Sequence, residues 1–193
     1  MAVFELELNP IRRARVWLDE LPPNALLVPN RGLTPTSFAG AAIRVDTLKA
    51  CGVEILYPSP PMWHYGLLGG SFTADNTGTF RSVVPIADPT ARELSWSLAA
   101  ADPSGPLVGL PDWVAEPLAR ALELRDPSLE VPPPSGELRI THALMTPTGA
   151  SPAMFRVLAY SLLGILSEVP SQLDEARLLS IIRAGIVSGF GGS

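Results

Sequence analysis

The chain has one cysteine, Cys51, and one lysine, Lys49, among 193 residues. A single cysteine excludes an internal disulfide and any cysteine-based structural zinc site within one chain. With only two histidines, candidates for a general base are few. Charged residues make up 17%, below the usual quarter or so. No Walker-type loop, glycine-rich dinucleotide turn, zinc-protease helix or nucleophile elbow is present. Neither a cofactor nor a metal is therefore expected. The opening MAVFELELNP alternates acidic and apolar residues instead of placing a basic head before an apolar run. No secretory signal is expected, and a cytoplasmic location is the default.

What the chain does have is apolar mass. Hydrophobic residues reach 47%, enough for one domain spanning 1–193 with a real core. Its basic residues are arginines apart from Lys49, and arginine suits interfaces and phosphates better than lysine does. The net charge of -5 argues against a broad nucleic-acid-coating surface and leaves a local patch open.

The stretch Thr148–Glu168 organises the rest. Ser151 is placed to cap a helix, Pro152 suits its first position, and Gly149 lets the preceding chain turn. Phe155, Leu158, Ala159, Leu162 and Leu166 form one apolar face, and Met154, Val157, Leu163 and Ile165 make the other side apolar too. Such a helix is buried all round, by its own domain or by another subunit. The second group is assigned here to an interface between copies. With Arg156 inside, the helix is shorter than the roughly 20 apolar residues of a membrane span.

In chain order, Phe4, Leu6 and Leu8 alternate with polar residues as a strand. Asn9-Pro10 then predicts a helix carrying Ile11, Ala14, Trp17, Leu18 and Leu21 on its apolar side. Arg12, Arg13 and Arg15 would lie elsewhere on it, as contacts for phosphate or an acidic partner. Ala25–Val28 reads as a short strand, Asn30–Gly32 as a turn. Thr34-Pro35 opens either a helix running to Cys51 or, through Ile43–Val45, a strand and a short helix from Asp46. Val53–Tyr57 is a buried strand, after which Pro58, Pro60 and Pro61 break regular structure.

Trp63, His64 and Tyr65 follow as an aromatic cluster of the kind found at binding sites and sheet edges. His64 is the better candidate for catalysis, with Trp63 and Tyr65 as pocket walls. His142 reads as a hydrogen-bonded core residue, and Cys51 as a small buried hydrophobe. Asp75, Asp88, Asp102 and Asp112 sit in turns or caps, Asp75–Gly78 joining two hairpin strands. Arg92–Leu98 is another strand, Asp102–Pro111 a loop, Val114 to Arg125 a helix with Pro117 inside, and 126–136 a proline-rich connector. Leu138–Leu144 is a strand. After the organising helix, Ser171 and Asp174 cap a last helix bearing Leu178, Ile181 and Ile182, followed by a flexible tail at 189–193.

From Gly78 to Glu168 the pattern resembles domain IV of the translocation factor elongation factor G. Gly78-Thr79-Phe80, the Gly105–Pro111 loop, the Val114–Leu124 helix and Gly149-Ala150-Ser151 before Met154-Phe155 carry the likeness. The loop lacks that family's paired glycines, and the serine turn lacks its acidic and second serine partners. The resemblance implies a ribosomal-protein-S5-like α+β fold facing RNA or the ribosome, without catalysis. The proline, alanine and serine content also resembles that of coating proteins of some fungal viruses.

The expected architecture is α+β: a mainly antiparallel sheet covered by helices, with a C-terminal helical hairpin. The expected function is non-catalytic self-assembly as a coat, shell or filament subunit, a viral one included, with a homo-oligomer as its form. The alternatives are an RNA- or ribosome-facing module and a small-molecule enzyme centred on His64.

Overall fold

The computed structural model describes residues 1–42, 46–59, 62–124 and 132–191, apart from the side chains of 32–35, 62 and 124. In chain order the elements are β1 (Ala2–Asn9), β2 (Arg12–Leu18), β3 (Arg31–Ala39), β4 (Ala50–Ser59), β5 (Met62–Ala74), β6 (Thr79–Ala91), β7 (Leu107–Leu110), α1 (Asp112–Leu124), β8 (Gly136–Met145), α2 (Pro152–Ser167) and α3 (Glu175–Gly191). One sheet runs in the order β1-β2-β4-β5-β8-β7-β6-β3. Its pairings are antiparallel except for β6 with β8. The expected α+β class, mainly antiparallel sheet and C-terminal helical pair are all present.

Asn9 begins the sheet by bending the chain. Its side-chain oxygen accepts from the Ile11 amide at 3.0 Å and the Arg12 amide at 2.9 Å, an Asx turn that reverses the strand. Arg12–Leu18 is therefore a strand, not the helix expected from the spacing of Ile11, Ala14 and Leu18. β2 pairs with both β1 and β4, and two hydrogen-bonded neighbours override a local helical pattern. The same override applies after Thr34: β3 replaces the helix, and residues 46–49 form none, while Ile43–Val45 lies outside the described residues.

The turn Asp75–Gly78 does not close a hairpin. β8 lies between the two strands it joins, pairing antiparallel with β5 and parallel with β6, so that Gly136 stands opposite both Ala74 and Phe80. Only glycine fits there: a Cβ would come within 2.3 Å of the Thr73 carbonyl oxygen. The connector before it is described only from residue 132, where Pro134 bridges to Ala41.

Central strands are covered on both faces. On one, Gly66 faces Leu158, Phe155 and Met154 of α2. On the other lies the segment 92–105, a succession of turns that includes Arg92–Leu98, where a strand was expected. Leu94, Ser97 and Ala99 are its buried residues, a spacing of two to three that tight turns produce.

The organising helix begins as its sequence indicates, with Ser151 Oγ accepting from the Met154 amide at 3.1 Å. It is enclosed by β4, β5, α1 and α3. Met154, Val157, Leu163 and Ile165 are each 0% exposed, which corrects their assignment to an interface between copies. Their apolar partners are within the chain. α3 approaches α2 closely because Gly185 and Gly189 face it: a Cβ on Gly189 would lie 2.3 Å from Val157 Cγ2. Of the expected tail at 189–193, residues 189–191 are helix and 192–193 lie outside the described residues; at the other end of α3 the Asp174 carboxylate caps it, accepting from the Arg177 amide at 2.8 Å. Among the described residues no helix is long and apolar enough to cross a membrane.

Candidate functional site

Strand alternation divides the residues singled out in the sequence. In β5, Trp63 and Tyr65 point to the face covered by segment 92–105, and His64 points to the helices. His64 is half-buried, its ring 4.9 Å from Phe190 in α3 and 6.4 Å from Tyr57, and burial lowers its pKa. It does not share a pocket with Trp63 and Tyr65, which corrects its expected role. Nor does Cys51 approach it: Cys51 lies six positions from Tyr57, the strand partner of His64, so roughly 20 Å away at about 3.3 Å per residue. Burial, with Asp19 nearby, pushes the Cys51 thiol far up, where it is inert. His142 is half-buried, with Nδ1 2.8 Å from Thr141 Oγ1.

The three arginines separate in the same way. Arg12 faces the helices, its guanidinium 3.8 Å from the centre of the Tyr57 ring. Arg15 is nearly covered, at 15% exposure, and is neutralised by two carboxylates. It donates to Glu5 Oε1 at 2.8 Å, lies 3.4 Å from Glu54 Oε2, and also donates to the Trp96 carbonyl at 2.5 Å. Arg13 is exposed, and its side chain makes no hydrogen bond or ion pair among the described residues.

Glu54 is the feature that sequence reasoning missed. It is 0% exposed in the middle of β4. Its Oε1 accepts from Tyr65 Oη at 2.9 Å, Ser97 Oγ at 2.9 Å and the Leu98 amide at 2.8 Å. Burial raises its pKa, and the three hydrogen bonds and Arg15 only partly oppose this. The one available signal was a carboxylate inside the apolar run Val53–Tyr57.

Above this network opens a cavity of about 630 Å³, within the range of small-molecule sites. β2 contributes Arg13, β4 Leu56, β5 Trp63 and Tyr65, the covering segment Leu98 and Asp102, and the turn before α2 Thr146 and Thr148. A hollow of about 500 Å³ adjoins it, sharing Arg13, Leu56 and Trp63 and reaching Glu7 and Ile11. Trp63 is 57% exposed at their junction.

No family model, curated protein or solved structure matches this chain.

The chemistry of the site must therefore come from its own residues. The described lining holds no histidine or cysteine. Tyr65 Oη is engaged below the cavity, and burial together with Glu54 raises its pKa well above the ordinary 10. Among the described residues no group of three or more His, Cys, Asp or Glu is placed to hold a metal ion. Asp102 Oδ1 is held by the Ser104 amide at 2.8 Å, and its Oδ2 lies 3.5 Å from Thr148 Oγ1. The arrangement offers one unpaired cation, one lightly bonded anion and apolar walls, which can hold and orient a ligand.

Proposed function

We propose that the chain is a non-catalytic binding protein for a small ligand with an apolar body, a carboxylate and an ammonium group, such as a short apolar peptide. One observation carries the reading: the same cavity presents Arg13, whose side chain has no partner among the described residues, Asp102 on another wall, and Leu56, Trp63 and Leu98 among its walls. An unpaired guanidinium binds carboxylate strongly, and a hydrogen bond to a charged group contributes about 1.5–3 kcal/mol. Calorimetric titration with leucyl-leucine, its N-acetyl form and its C-terminal amide tests it. Each cap is expected to weaken binding by about tenfold or more. Arg13→Gln is expected to erase the effect of amidation, and Asp102→Asn the effect of acetylation. No binding, or caps without effect, would refute the reading.

A second reading, an RNA-facing module, has its own support. Residues 79–167 run strand, strand, helix, strand, helix, the order on which the resemblance to elongation factor G domain IV rests. Arg13 also stands beside the exposed Trp63, a cation next to a stacking surface. Single-stranded RNA binding that weakens with salt and with Trp63→Ala is the expected sign, and no RNA binding at low salt removes it. Self-assembly, if it is this chain's role, falls to the sheet edges. Glu5 and Glu7 on β1 and Pro35 in β3 are residues that discourage edge pairing.

A further inference from the structure

We infer that Glu54, which no ligand can touch, is the positioning residue of this site: it fixes the wall that carries Leu98 and Asp102, and so sets the length of ligand the cavity accepts. The inference rests on the binding reading above.

The wall has no sheet or helix of its own to hold it. It is a chain of tight turns, with the Ser97 amide bonded to the Leu94 carbonyl at 3.1 Å, Ala100 to Ser97 at 3.0 Å, Asp102 to Ala99 at 2.9 Å and Gly105 to Asp102 at 2.9 Å. Each turn passes its position to the next. Among the described residues the chain's hydrogen bonds to the sheet centre on Glu54, through Ser97 Oγ and the Leu98 amide, with Arg15 on the Trp96 carbonyl and Tyr65 on Ser97 beside it, and Trp96 packs on Trp17 with ring centres 5.8 Å apart. Tyr65 Oη, from a strand that lines the opposite side of the cavity, meets the same carboxylate oxygen. One oxygen therefore joins the floor of the cavity to this wall.

The protons can be counted. Three oxygen–oxygen contacts join Glu54, Tyr65 and Ser97, at 2.9, 2.9 and 2.7 Å. Two hydroxyls supply two protons, so the third contact is served only when the carboxyl group carries one. The tie to the wall needs only the acceptor, since Ser97 Oγ and the Leu98 amide both donate to this oxygen. Glutamine keeps an acceptor there and leucine does not, although an amide oxygen carries no proton for the third contact.

The test uses leucyl di-, tri- and tetrapeptides with wild type, Glu54→Gln, Glu54→Leu and Ser97→Ala, the last covering the case in which Glu54→Leu fails to fold. Wild type and Glu54→Gln are expected to share one length preference. In Glu54→Leu or Ser97→Ala the ratio of tripeptide to dipeptide affinity is expected to change at least fivefold, whereas simple loss of folded protein would lower all three affinities together. Hydrogen exchange at the Leu98 amide gives a readout without ligand. It is expected to be slow in wild type and Glu54→Gln, and at least tenfold faster in Glu54→Leu. An unchanged length preference with unchanged Leu98 exchange would overturn the positioning role. Peptides that bind no variant, with Leu98 exchange behaving as expected, would overturn the binding reading and leave Glu54 as an anchor of the wall only.

Discussion

Replacing Glu54 by glutamine is expected to change the pH dependence of stability in a definite direction. The carboxyl is buried and its pKa is raised above the ordinary 4.5. Between that value and the folded one, the folded chain holds a proton that the unfolded chain has released. The stability due to this group is therefore fully present below about pH 4.5 and is lost as pH rises through the folded pKa. Inside that window each pH unit removes about 1.4 kcal/mol. The other groups facing Glu54 are Arg15 from β2, Tyr65 from β5, and Ser97 and the Leu98 amide from the covering segment. Glu5 stands beyond Arg15. All are present in both proteins, and Tyr65, whose pKa lies well above 10, keeps its proton throughout the window. Glutamine keeps the acceptor for Leu98 and does not titrate. Urea unfolding followed by tryptophan fluorescence at a series of pH values checks this. The advantage of Glu54→Gln over wild type should grow with rising pH and then level off. A difference that stays constant, or wild type gaining on the variant as pH rises, would refute the reasoning.

Two further substitutions test the frame that holds the site. Gly136→Ala forces a Cβ to within 2.3 Å of the Thr73 carbonyl at a φ of +152°, so overpacking of about 1–3 kcal/mol adds to backbone strain of about 1–3 kcal/mol. Gly78→Ala, at a φ of +70° with nothing within 4 Å, isolates the strain, and equal losses of stability in urea would mean that the insertion of β8 is not tightly packed. Val157→Asp buries an unpaired carboxylate within one chain and is expected to cost at least about 3 kcal/mol, with an unfolding midpoint independent of protein concentration. A concentration-dependent midpoint would instead return Val157 to an interface between copies.

The elements that could be read from sequence are those whose signals are local. α2 carries its own cap in Ser151-Pro152, β1 and β8 carry plain alternation, and α1 keeps its stripe despite Pro117. β2 was misread because Ile11, Ala14 and Leu18 satisfy a helical spacing while Ala14, Val16 and Leu18 satisfy alternation equally well. The decision belongs to β1 and β4, far away along the chain in one case. Segment 92–105 was misread for the opposite reason: Leu94, Trp96 and Leu98 alternate, yet the segment has no strand to pair with and folds as turns onto Glu54. The enclosure of α2 was half legible. Its all-round apolarity required burial, but only the small residues Gly185 and Gly189 of α3 show that the cover comes from the same chain.

The site was least legible because it depends on rows that cross the sheet. Two neighbouring rows make the point. In one, Glu5, Arg15 and Glu54 stand opposite one another on β1, β2 and β4; in the next on the same face, Glu7, Arg13 and Leu56 do. The first row has two carboxylates for one guanidinium, and the guanidinium is committed and nearly covered. The second has leucine where the first has Glu54. Glu7 makes no ion pair with Arg13 among the described residues, so that guanidinium keeps its capacity to bind. A single difference in β4, glutamate against leucine two residues apart, thus separates a structural arginine from an available one. It also places the available one at the mouth of the cavity, beside Trp63. In the sequence Arg13 and Arg15 are indistinguishable, since what tells them apart is the strand pairing about forty residues later, at Glu54 and Leu56.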